Sequence, residues 1–187
     1  MISKDRIGVL IGEGGVVKDR IERCLNVTLN VDGESGVVAI KARDPMGNPL
    51  AVLKAKDVVT AVARGFPPNK AFRLFDEDIM LDILNLRELF GKSESDIQRV
   101  KGRIIGRDGK SRRIIEEITQ ADLSIHGHTV GIIGNFDAAS LAREAMEMLI
   151  KGRQHATVYQ HMKNRRREIK KKEKIELWEK PAESPRR

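Results

Sequence analysis

The chain has 187 residues, 35 of them Lys or Arg and 27 Asp or Glu, for a formal net charge of +8, with one cysteine and only 4% aromatic residues. That length suits one large domain or two small ones, a lone Cys24 excludes an intramolecular disulfide framework, and no His, Cys or carboxylate cluster has zinc-site spacing. No apolar run approaches the ~20 residues that span a bilayer, and no signal-peptide core follows Met1-Ile2-Ser3-Lys4-Asp5-Arg6, so a soluble, reduced, cytoplasmic protein is expected.

In chain order, residues 4–11 read as a short apolar helix that runs into Gly12-Glu13-Gly14-Gly15, and residues 16–25 as a second, amphipathic helix. Strands are expected at 27–31 and 37–40, joined across Asp32-Gly33-Glu34-Ser35-Gly36. A helix over 50–63 carries Leu53, Val58, Val59 and Val62 as its apolar face. Gly65-Phe66-Pro67-Pro68-Asn69 is a breaker and reads as the start of a linker. Beyond it come a strand at 81–86, a helix at 96–105, the turn Gly106-Arg107-Asp108-Gly109, and a helix at 110–120 striped by Ile114, Ile115 and Ile118. Strands at 123–126 and 130–133 meet near Gly127, and a helix at 138–150 follows, its apolar face formed by Leu141, Ala142, Ala145, Met148 and Leu149. From His155 the chain reads as an amphipathic and then strongly basic helix ending near Pro181.

These elements repeat. A shift of 94 residues lays Gly8, Ile11, Gly12, Gly15, Ile21, Glu22 and Leu29 on Gly102, Ile105, Gly106, Gly109, Ile115, Glu116 and Leu123 without a gap. The strand at 81–86 has no counterpart in the first copy, where only Met1-Ile2-Ser3 precede the opening helix; that copy either lacks an edge strand or begins upstream of the chain's start. Two competing motifs fail on spacing. Gly109-Lys110-Ser111 would end a P-loop only with glycine at position 104, which is Ile104, and a dinucleotide fingerprint begun at Gly12 and Gly14 would need its third glycine at Val17.

Helix, Gly-x-x-Gly turn, helix, β hairpin and closing helix is the pattern of the K-homology (KH) domain, and 105–115, Ile-Gly-Arg-Asp-Gly-Lys-Ser-Arg-Arg-Ile-Ile, closely resembles that family's signature. Glycines let a phosphate approach the backbone, and the helix N-terminus behind them presents free N–H groups. The expected fold is therefore α+β: two tandem type I KH domains, each a three-stranded sheet with helices on one face, plus a basic C-terminal helix. The expected boundaries are 1–66 for the first domain, 67–79 for the linker, 80–153 for the second domain, and 154–187 for the helix and tail.

Charge separates the copies. Residues 101–113 carry six cations against Asp108, a net of +5, whereas 7–19 carry Lys18 against Glu13 and Asp19, a net of −1; residues 163–187 hold a further +6. Phosphates should prefer the second copy. The expected RNA-binding residues are Lys101, Arg103, Ile104, Ile105, Gly106, Arg107, Asp108, Gly109, Lys110, Arg112, Arg113, Ile125 and His126, with Ile104, Ile105, Ile115 and Ile125 as an apolar groove for bases. Secondary RNA contacts are expected at Gly12, Glu13, Gly14, Gly15, Arg165, Arg166 and Arg167. His126 and His128 flank Gly127 and suit a surface turn or a base edge better than a metal; Tyr159 and Trp178 read as packing anchors or stacking groups. No cofactor, metal or catalytic group is expected.

The stretches Lys101-Gly102-Arg103-Ile104-Ile105-Gly106, Gly131-Ile132-Ile133-Gly134-Asn135-Phe136, Ala142-Arg143-Glu144-Ala145-Met146 and Gln154-His155-Ala156-Thr157-Val158-Tyr159 resemble the archaeal ribosome-assembly KH proteins, counterparts of the eukaryotic partner-of-Nob factor. The resemblance covers nearly the whole chain. It implies binding of single-stranded small-subunit ribosomal RNA near its 3′ end, through the second KH domain, and partnership with the endonuclease that matures that end or with another assembly factor. A general binder of mRNA or other single strands, and a KH-based protein scaffold, are the alternatives.

Overall fold

The computed structural model describes residues 2–44, 48–91 and 93–179, the side chains of 173 and 176–179 excepted. Trp178's side chain and the chain from 180 onward, with the expected helix end near Pro181, lie outside the described residues.

The first unit opens with α1 (Lys4–Ile11), which buries Ile7 and Leu10 and stops where Gly12 takes φ 75°. A 3₁₀ turn (Glu13–Gly15) leads into α2 (Val16–Leu25), ended by Asn26 in the left-handed region. Strands β1 (Val27–Val31) and β2 (Val38–Ala42) pair antiparallel, Val27 with Ala42 and Val31 with Val38. Among the described residues this sheet has two strands, and Ile2 N–H donates to Gly36 O at 2.8 Å beside the hairpin loop.

Helix α3 (Pro49–Ala63) has proline in its first turn and Asn48 as its N-cap, Asn48 Oδ1 accepting from Leu50 N–H at 2.9 Å. It buries Ala55, Val58, Val59, Ala61 and Val62, while Leu53 is 56% exposed. The expectation that Leu53 shares the apolar face is corrected: at 100° per residue it points away from Val62. Arg6 closes the far end of α3, donating to Val62 O at 2.8 Å and Phe66 O at 2.5 Å.

The expected linker is also corrected. Residues 67–79 include helix α4 (Pro68–Ala71) and a 3₁₀ turn (Phe72–Phe75), and Phe66, Ala71 and Leu74 are fully buried in the first core. Burying Phe66 and Leu74 stabilises by about 1.5–3 kcal/mol each, so the segment is bound to the first unit.

In the second unit, β3 (Met80–Asn85) leads to α5 (Leu86–Phe90), α6 (Glu94–Ile105), a 3₁₀ turn (Arg107–Gly109), α7 (Lys110–Thr119), β4 (Asp122–His126), β5 (Thr129–Gly134), α8 (Phe136–Ile150) and α9 (His155–Glu179). The sheet is antiparallel in the order β3-β5-β4. Leu84, Leu123, Val130 and Ile132 face the helices, with Ile97, Ile104, Ile115, Leu141 and Ala145 in one core. Arg143 on α8 ties that helix to β3, its Nη1 donating to both carboxylate oxygens of Asp82 at 2.6 Å.

The alternate residues of the strands face the first unit. Ile133 belongs to the first core, and a Cβ at Gly131 would stand 2.6 Å from the Phe66 ring. Ser124 Oγ donates to Arg64 O at 2.9 Å, and Lys70 Nζ lies 2.8 Å from Asp122 and 3.3 Å from Glu116, with Arg73 pairing Asp122 as well. The first unit thus covers the outer face of the second sheet. Helices α7 and α8 pack on its opposite face.

Candidate nucleic-acid interface

The turn between α6 and α7 stands on the helical side of the sheet. Gly106 has φ 70°, ψ 177°, Asp108 φ 52° and Gly109 φ 73°. The first pair of angles is almost confined to glycine. A Cβ there would meet Ser111 Cβ at 2.7 Å, so Ser111, itself buried, fills the space behind the turn. The first copy repeats this: Gly12 has φ 75°, ψ 170°, and its Cβ would meet Val17, the counterpart of Ser111, at 2.6 Å. Ser111 escapes notice in a charge count; only its alignment with Val17 in the repeat points to it.

Among the expected cations, Arg107 and Lys110 are exposed and Lys101 half-buried, and none has an ion pair or hydrogen bond among the described residues. Arg103 is different. Its guanidinium donates to Leu149 O at 3.3 Å and Arg153 O at 2.7 Å, closing the end of α8. Arg113 donates to Asp108 O at 2.9 Å and so braces the turn, and Arg112 pairs with Glu116 at 3.4 Å. Asp108 is exposed in its left-handed position.

Two apolar expectations need correction. Ile104 and Ile115 are completely buried and have no surface to offer a base. Helical spacing identifies an apolar stripe without saying whether a core or a ligand covers it. Ile105 and Ile125 are half-buried, and Ile125 lies on the helix side of β4, an edge strand. His126 has the opposite parity: its Cβ would be 2.8 Å from a Cβ on Gly65, so it faces the first unit and not the helical side. His128 Nδ1 lies 3.7 Å from Glu94, and among the described residues no three His, Cys, Asp or Glu form a metal-sized group.

The first copy's turn presents Glu13 and a 66% exposed Val16 where the second has Arg107 and Lys110. Its Lys18 is drawn to Glu22, 4.0 Å away. On α9, Arg165 is paired with Glu144 at 3.7 Å and Glu168 at 2.8 Å, Arg166 is half-buried and Arg167 exposed. Tyr159 packs edge-on to His155, their ring centroids 6.0 Å apart, as an anchor.

Helices on one face of an antiparallel β3-β5-β4 sheet, with a glycine turn joining two of them, define a KH-type domain of mixed α and β structure. Residues 80–167 match the second KH domain of PNO1 proteins, a eukaryotic-type KH domain (KH-domain type I). The KH domain-containing protein MJ0443 of Methanocaldococcus jannaschii is 43% identical over 97% of this chain and 79% of its own length. A 1.5 Å crystal structure of APE0754 from Aeropyrum pernix, a protein of unknown function, superposes with a TM-score of 0.92 at 39% identity, covering 96% of this chain and 95% of the other. Dim2p of Pyrococcus horikoshii OT3 gives 0.79 at 44% identity over 87% and 95% of the two chains. The same archaeon's aDim2p, in a complex with a/eIF2alpha and rRNA, gives 0.83 at 43% identity over 89% and 92%. The chain belongs to the archaeal Dim2p family of KH-domain proteins, homologous to PNO1.

Proposed function

We propose that this protein binds single-stranded RNA without catalysis, holding small-subunit ribosomal RNA near its 3′ end during ribosome assembly. The observation that carries this reading is the turn at 106–109. Two glycines admit a phosphate, the first turn of α7 presents its N–H groups, and Lys101, Arg107 and Lys110 stand beside it with no partner among the described residues. The rRNA in the complex of the 43% identical aDim2p supports it. Ile105 and Ile125 supply the apolar contact for bases, and polar groups of β4 read their edges.

The same proposal makes the turn a KH Gly-x-x-Gly loop and the molecule a tandem, with 80–153 as its RNA-reading domain and the first unit as a KH domain short of one strand. The repeated φ and ψ values at Gly12 and Gly106 support the tandem. The first unit serves architecture or a protein contact, because Glu13 repels phosphate; an rRNA-maturation endonuclease or another assembly factor is the partner class. This role places the protein in the cytoplasm.

The test is the double variant Arg107→Asp, Lys110→Asp, assayed against a single-stranded oligonucleotide of the small-subunit RNA 3′ end, with a scrambled strand as control. Loss of at least about tenfold in affinity with an unchanged far-UV spectrum is expected, because two phosphate contacts are reversed in sign. Unchanged binding overturns the reading in favour of the scaffold. Crosslinking to total cellular RNA decides the target: sites clustered at that 3′ end support it, and scattered mRNA sites overturn it.

A further inference from the structure

Helix α9 is 25 residues long and two-faced. Val158 and Met162 are buried against the second core and Ile169 packs on it. Beyond Ile169 every described side chain is exposed. Nearest the body, Arg165 is spent on Glu144 and Glu168, and His161 Nε2 lies 3.0 Å from Glu144.

The outer face differs. Lys163, Arg167, Lys170, Lys171 and Lys174 recur at i, i+4, i+7, i+8 and i+11, which is one stripe of a helix. All five are exposed and none has an ion pair or hydrogen bond among the described residues. The stripe is ~16 Å long at 1.5 Å per residue. The described side chains of the stripe are all cationic, so the contact they offer is with phosphates and not with base faces. A straight row of cations on a rigid helix instead matches phosphates held in a row by a duplex.

We propose that the outer face of α9 is a second RNA site, which takes the phosphate backbone of a double-helical segment adjoining the strand held at the glycine turn. The placement fits this. His155 Nε2 lies 2.9 Å from Arg103 O, so α9 begins beside the end of α6, where the turn also begins. From there the stripe extends from ~12 to ~28 Å along the helix. The contact is with backbone, so it adds affinity and salt dependence but no base preference. It rests on the reading that the turn binds RNA, and it assigns the stem of that RNA to a different surface.

The experiment compares the full chain with a Lys163→Gln, Lys170→Gln, Lys171→Gln variant on three probes: an unpaired strand, the same strand joined to a hairpin stem, and the stem alone. For the wild type, joining the stem should raise affinity at least about tenfold and steepen the logarithmic salt dependence by about 2 to 3, as expected for three more phosphate contacts. The variant should lose this gain, keep its affinity for the unpaired strand within about twofold, and retain its helical spectrum. A gain that survives in the variant overturns the proposal. So does a wild type with no gain, which would leave the stripe to an acidic protein surface. Failure of the turn as a site reads differently: the wild type would ignore the unpaired strand yet bind the stem alone, and only the α9 variant would lose that binding.

Discussion

Leu123 N–H donates to Glu116 Oε1 at 2.9 Å, and in the first unit Leu29 N–H donates to Glu22 Oε1 at 2.6 Å. Each carboxylate sits on the helix behind a glycine turn and closes a backbone donor of the strand that follows. Glu116→Ala leaves the Leu123 donor unpaired and should destabilise by about 1–3 kcal/mol, whereas Glu116→Gln keeps an acceptor and should lose about half as much. Denaturant unfolding measures both.

Gly106 and Gly109 should not tolerate alanine equally. Gly106→Ala forces a residue with a Cβ into φ 70°, ψ 177° and against Ser111, for a loss of about 2–3 kcal/mol. At Gly109 a Cβ meets nothing within 4 Å, so only the left-handed backbone penalty of about 1 kcal/mol remains. Thermal unfolding of the two variants should rank them in that order.

Arg103→Ala separates structural from ligand-binding cations. It removes hydrogen bonds to Leu149 O in the last turn of α8 and to Arg153 O just beyond it, so stability should fall by about 1–2 kcal/mol. RNA affinity of the folded variant, by fluorescence anisotropy, should change by less than about threefold, well short of the Arg107 and Lys110 double variant.

Lys70 gives the alkaline limb a sign. Burial alone would lower its pKa, but the hydrogen bond to Asp122 and the charges of Glu116 and Asp122 raise it above the ordinary 10.5. The folded state holds the proton more tightly, so this stabilisation is full below 10.5 and is lost as pH climbs through the raised value. Lys70→Met should lose up to about 1 kcal/mol at pH 7 and unfold less steeply above pH 10.5 than the wild type.

Asp57 works in the opposite range. Burial raises its carboxyl above 3.8 against the pull of Lys54 and Lys56. The folded state then binds the proton more tightly, and stability falls as pH rises through the window above 3.8. Asp57→Asn should remove this contribution, so the variant gains on the wild type as pH rises through that window and is more stable at pH 7 by about 0.5 kcal/mol or less, read by denaturation of both at pH 3 to 7.

Much of this was legible in the chain because the sequence matches itself at a shift of 94 residues, so each local signal can be read twice. The two glycine turns, the strand pairs and the long helices stand within a few residues of where periodicity puts them. Helix α5 and the helical turns over Pro68–Ala71 and Phe72–Phe75 were not legible: each is one or two turns long, and packing of Leu86, Ala71 and Leu74, not an apolar rhythm, holds it. At the site, the misplacement of Ile104, Ile115 and His126 has one cause. Periodicity assigns a residue to a face, but which neighbour covers that face is decided by chain segments far away, here Phe66 for the outer side of the sheet.

The contact between Phe66 and Gly131 also sets a bearing. Because the first unit is seated on the sheet and Lys70 grips Glu116 on α7, the helix that begins at the glycine turn cannot swing relative to the first unit without breaking that grip. Whatever holds the first unit therefore also aims the turn, and the half that carries Glu13 works as the gunsight for the half that carries Arg107 and Lys110.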